Sequence, residues 1–310
     1  MKKIKECIGT FLIAFIILTS SGCVENEALN TWNNQVDIAN DYAIKGTDYI
    51  TQAENKINNG NYEESLSLFD SGIEQLNLSV SAGEKALEYS GNTGRDFLTE
   101  YTNEYIDNKK ELKEYAENLK NYAMVMTLVE NGKNIDPSFN ATVSLISTAE
   151  NTEEYSDAIQ LFQRAKDNIP KIKEYIQNSV TYGTILGLDV YVEYIGKLSP
   201  LMDILEKLCN EGIEWAEAGI NNDQEKMNTH ITVYGNLVDD FSQALGNLIE
   251  MQTQNPDLQR EVGEDAFSIL TNLRDQYESA YEDHLNKAIE HKNKMKEIEN
   301  AHPDEFKQKE

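Results

Sequence analysis

Residues 29–57 read LNTWNNQVDIANDYAIKGTDYITQAENKI, and the spacing inside that stretch decides the fold. Leu29, Trp32, Val36, Ala39, Ala43, Gly46, Ile50, Ala53 and Ile57 follow one another at intervals of three and four without a break. That period puts one apolar seam along a helix that faces a neighbour at a shallow angle. Large residues alternate with very small ones: Ala39, Ala43, Gly46 and Ala53 let a second backbone come close, so a tight helix pair is expected. Asn58-Asn59-Gly60-Asn61 then reads as a helix stop and a short turn.

The same pattern recurs outward from this stretch. Tyr62, Leu66, Phe69, Ile73, Leu76, Val80, Gly83 and Leu87 mark a second helix, ended by Ser90-Gly91-Asn92-Thr93-Gly94. So short a connection makes the two helices antiparallel neighbours. A third stripe runs Leu98, Tyr101, Tyr105, Asn108, Leu112, Tyr115, Leu119, Tyr122, Met126, Val129. Asn108 is its one strongly polar member, a candidate device for fixing register or partner choice at some cost in stability. From Asn131 to Asn151 the pattern loosens around Gly132 and Pro137, which suggests a linker over residues 132–151 between two helical lobes.

Beyond it the stripes resume. Tyr155, Ala158, Phe162, Ala165, Ile169, Ile172 and Ile176 form one, with Pro170 predicting a kink or restart. Ser199-Pro200 reads as a cap followed by proline at the first helical position, and Asn255-Pro256 repeats the signal before the last helix; between them Asn221-Asn222-Asp223 caps a further helix. No alternating strand pattern is found. The expected architecture is all-α, built from long heptad-patterned helices in elongated antiparallel hairpins or a helical bundle. The domains are a signal segment at 1–22, helical lobes at 23–131 and 152–300 around the linker, and a polar tail at 301–310.

The N-terminus carries an address. Lys2, Lys3 and Lys5 precede the uncharged, largely apolar run from Ile8 to Leu18, too short to span a bilayer but the length of a signal-peptide core. Ser20-Ser21-Gly22-Cys23 follows, and the whole resembles a prokaryotic lipoprotein signal, with Ser20 where leucine is usual. The resemblance implies cleavage before Cys23, a lipid on its thiol, and an extracytoplasmic protein anchored to the outer face of the cytoplasmic membrane. Two short segments, Asn61 to Leu66 with Phe69 and Ile73, and Tyr155 to Ile159 with Phe162 and Ala165, resemble the second helix of a tetratricopeptide repeat. They lie 93 residues apart, where that family repeats about every 34, so the likeness is that of amphipathic helix starts and no array is expected.

Composition excludes one class of partner. With 54 acidic against 27 basic residues and a net charge of -27, the chain repels nucleic acid. Of its three cysteines, Cys7 lies in the signal, Cys23 is the lipid site, and Cys209, which follows Leu201, Leu205 and Leu208, reads as a buried structural thiol.

Motifs for chemistry are missing. His230, His284, His291 and His302 have no metal-ligand spacing; His284 and His291 share a helix face but sit two turns apart, about 10 Å by the helical rise. Acidic pairs such as Glu63-Glu64, Glu153-Glu154 and Asp239-Asp240 follow from composition, and no nucleotide loop, nucleophile elbow or EF-hand loop occurs. The sequons Asn77-Leu78-Ser79 and Asn140-Ala141-Thr142 make Asn77 and Asn140 candidate glycosylation sites, Asn140 the better placed. The reading that results is a non-enzymatic, lipid-anchored docking or spacer module with an envelope protein as partner and no cofactor. The alternative is an all-helical small-molecule or metal binder serving a transporter or sensor.

Overall fold

The computed structural model describes residues 23–261 and 265–306, with side chains from Glu27 onward. The signal segment 1–22 lies outside the described residues, as does the Cys23 side chain; the Cys23 backbone is the first residue of a helix. The elements are α1 (Cys23–Asn58), α2 (Tyr62–Ser90), α3 (Asp96–Glu150), α4 (Tyr155–Ile185), α5 (Asp189–Gly196), α6 (Leu198–Ile220), α7 (Gln224–Gln254), a single 3-10 turn (Pro256–Leu258) and α8 (Ser268–Ala301). Among the described residues there is no strand, only an isolated bridge between Arg260 and Phe267. The fold is an all-α helical bundle, and the chain divides into two compact units, Met1–Met124 with Arg274–Glu310 and Val125–Leu273.

In the first unit, the small residues of α1 do what their size allows. A Cβ added to Gly46 would lie 3.1 Å from the Gly72 carbonyl oxygen, and one added to Gly72 would lie 2.8 Å from Ile50 Cγ1. The α1 and α2 backbones therefore touch, and neither glycine has room for a methyl group. Ser79 donates to the Ala39 carbonyl at 2.8 Å and pairs with the Tyr105 hydroxyl at 2.9 Å, which ties α1, α2 and α3 together inside the core. Trp32, wholly buried, donates its indole N–H to Thr102 Oγ1 at 2.9 Å. Its ring fills the α1–α3 space while its polar edge is satisfied.

In the second unit, aromatic rings lie flat on glycines. A Cβ on Gly212 would fall 2.5 Å from the Phe162 ring, and one on Gly219 would fall 2.5 Å from the Tyr155 ring. These contacts bring α4 and α6 together as antiparallel neighbours, with Tyr155 also edge-on to Trp215 at 5.4 Å. Helix α7 joins this pair through Tyr234, edge-on to Phe162 at 6.1 Å, and through a His230–Glu211 contact of 2.8 Å.

Several boundaries differ from those expected. Residues 132–151 are not an irregular linker: α3 runs through Gly132 and Pro137 to Glu150. Ile135, Ile146 and Ala149 are buried along this stretch, and their burial outweighs the one backbone hydrogen bond that proline forfeits. The same holds at Pro170, where α4 continues unbroken beside buried Ile169 and Ile172. Helix α6 begins at Leu198, so Ser199 is inside it and caps nothing. Asp223 does cap α7, accepting the Lys226 N–H at 3.1 Å. Asn255-Pro256 opens only the 3-10 turn, and the last helix waits until Ser268, because Leu258, Ala266 and Phe267 are buried before it starts.

Candidate functional site

Two places gather chemistry-bearing side chains, one in each unit. In the first unit, α3 and α8 lie antiparallel along a polar seam. Glu104 contacts His291 Nδ1 at 2.6 Å, Asn108 donates to the Ala288 carbonyl at 2.6 Å, and Glu111 contacts His284 Nδ1 at 2.7 Å. The pairs are one heptad apart on both helices, so a single face of each presents them in register. Asn108 is buried and its Oδ1 accepts from Lys109 Nζ at 2.9 Å. Burial, with the Lys292 ammonium near it, pulls Lys109 down to about 8. The Asn108 amide thus has both of its polar ends engaged, which meets the condition for keeping it in an apolar stripe.

One turn further along α3, Tyr115 donates its hydroxyl to Glu54 Oε1 at 2.7 Å, with the Tyr281 ring edge-on to Tyr115 at 6.0 Å. Glu54 on α1 is buried, and that burial pushes its carboxyl up to about 7, opposed by the bond from Tyr115. A proton near neutral pH is thereby held inside the unit.

The second unit has a cleft of about 220 Å³. Its walls are apolar, among them Ile135, Phe139, Ile195 and Leu248, and its polar end is Arg260 with Asp136. Arg260 Nη2 lies 2.9 Å from Asp136 Oδ2, and its guanidinium stacks 4.4 Å from the centre of the Phe267 ring and donates to the Asp265 carbonyl. Burial raises the Asp136 carboxyl against the pull of Arg260.

The residues singled out by sequence fall as follows. Asn108, His284 and His291 come together in the α3–α8 seam. His230 pairs with Glu211 in the other unit, and His302 stacks on Phe97 at 4.0 Å. Cys209 is fully buried, and that pushes its thiol up to about 12, consistent with an inert structural role. Asn77 and Asn140 are both helical, within α2 and α3. Among the described residues no group of three or more His, Cys, Asp or Glu is placed to hold a metal, and no helix is long and apolar enough to cross a membrane. Glu54, Glu104, Glu111 and Arg260 were not anticipated. Only the glutamates on α3 left a signal, a seven-residue spacing equal to that of His284 and His291. No family model, curated protein or solved structure matches this chain.

Proposed function

We propose that the chain is a lipid-anchored extracytoplasmic protein, held at the outer face of the cytoplasmic membrane through Cys23, whose helices serve as a docking or spacer module for another envelope protein. The observation that carries this is how the polar groups of the first unit are used: buried Asn108 and half-buried His284 and His291, with their glutamates, pair with one another or with backbone across α3 and α8. They hold helices in register instead of converging on a cavity. The N-terminal segment ending at Cys23 supplies the anchor, since two acyl chains give stable attachment where one does not. The test is fractionation of a Cys23→Ser variant, expected in the soluble or secreted fraction, joined to pull-down from detergent-solubilised membranes. A variant that stays as membrane-bound as the native chain refutes the anchor.

A second reading, an all-helical small-molecule binder, is favoured by the cleft that ends in Arg260 and Asp136. It predicts a rise in melting temperature with some metabolite, abolished in Arg260→Ala.

A further inference from the structure

Helix α7 buries only one side. Tyr234 and Leu248 face inward, whereas Ile231, Val238 and Ile249 are 50%, 38% and 57% exposed. These three belong to a second stripe: Ile231, Gly235, Val238, Ser242, Leu245 and Ile249 follow at intervals of four and three, with half-buried Leu245 and exposed Ile249 also bordering the cleft described above. At about 100° per residue they fall within about 40° of one line along the helix. Among the described residues a Cβ on Gly235 would meet no atom within 4 Å, so the stripe is open there. No Asp, Glu, Lys or Arg falls on the stripe, in a chain that is 26% charged.

From this face we propose that α7 is the interface of an antiparallel homodimer, with the stripe packed on the same stripe of a second copy. A two-fold contact requires a patch complementary to itself, and this one is. Turned about position 240, Ile231 faces Ile249 of the second copy, Gly235 faces its Leu245 and Val238 faces its Ser242, so each large side chain meets a small one or an equal. Two chains of net charge -27 repel, and a charge-free seam is where they can meet; a basic partner would instead be drawn to the acidic faces. One acidic residue, Asp239, lies about 80° off the line, at the rim beside its own copy. A seam of this length buries on the order of 1,000 Å² in total, at the low end for specific association, so the dimer is a weak one. The inference rests on the α7 face alone and does not depend on the lipid anchor.

The test is sedimentation equilibrium of the full chain in density-matched detergent, from micromolar to near-millimolar concentration, with thermal melting alongside. A concentration-dependent dimer is expected. Gly235→Ala puts a methyl group against Leu245 of the second copy and should weaken association about tenfold, while the monomer melts no lower, because alanine is the better helix former on an open face. Asp239→Asn, or added salt, should strengthen it. A chain that stays monomeric, or a dimer indifferent to both Gly235→Ala and Asp239→Asn, overturns the proposal. So does a different protein bound at this face without self-association.

Discussion

Replacing Glu54 by glutamine tests the physical reading of the first unit most directly. The carboxyl is buried at 8% exposure, and its pKa is raised from 4.5 to about 7. Between those values the unfolded chain has lost this proton while the folded chain keeps it. The unfolded state then binds fewer protons, and stability falls as pH rises. At 1.36 kcal/mol per unit, the two and a half units amount to about 3 kcal/mol, absent below pH 4.5 and fully present above pH 7. Glutamine still accepts from the Tyr115 hydroxyl but has nothing to ionise. The stability of Glu54→Gln minus that of the native chain should therefore climb by about 3 kcal/mol across the window, whatever constant offset the new amide brings. Taking the difference cancels the other carboxylates. Urea unfolding followed by Trp32 fluorescence in a Trp215→Phe background confines the readout to the first unit, since Trp32 is buried there and these are the two tryptophans of the chain. A difference that stays flat with pH refutes a protonated Glu54.

Two further substitutions follow from packing. Asn108→Leu removes the bond to the Ala288 carbonyl and the oxygen that accepts from Lys109, so denaturant unfolding should show a loss of about 1–2 kcal/mol. A gain would show that the amide is merely tolerated. Gly212→Ala drives a methyl group into the Phe162 ring and should cost about 2 kcal/mol or more, with thermal melting as the measure; an unchanged melting temperature would mean the ring moves aside freely.

Sequence made the helices legible where a stripe met no breaker. Alanine and glycine in the α1 stripe announced the close approach seen at Gly46 and Gly72. It misled at Pro137, and at Pro170 the helix does not restart, because a proline rule weighs one lost hydrogen bond and cannot see that Ile135, Ile146, Ile169 and Ile172 find buried places on either side. At Asn255-Pro256 the capping signal was genuine but local, and the packing of Leu258 and Phe267 decided that the helix start lay further on. The candidate site was half visible. Asn108 stood out as a polar residue in an apolar row, and His284 and His291 as residues sharing a face. Their partners did not stand out, since in a chain with 54 acidic residues no single glutamate is conspicuous until a second helix lies against it. Arg260 with Asp136 joins residues too far apart in sequence for any periodicity to connect them.

Spacing in the α3–α8 seam has a last consequence. Two His–Glu pairs one heptad apart would, by themselves, permit α8 to slip by seven residues and still keep one pair, Glu111 with His291. The slip would also part Asn108 from the Ala288 carbonyl, Tyr115 from the Tyr281 ring and Phe97 from His302. Seven residues away on either side of Ala288, the Asn108 amide would lie opposite Tyr281 or Met295 instead. The repeating pairs thus act like the evenly spaced teeth of a rack, and the unrepeated contacts beside them, Asn108 with Ala288 among them, like keyed notches that tell one setting from the next.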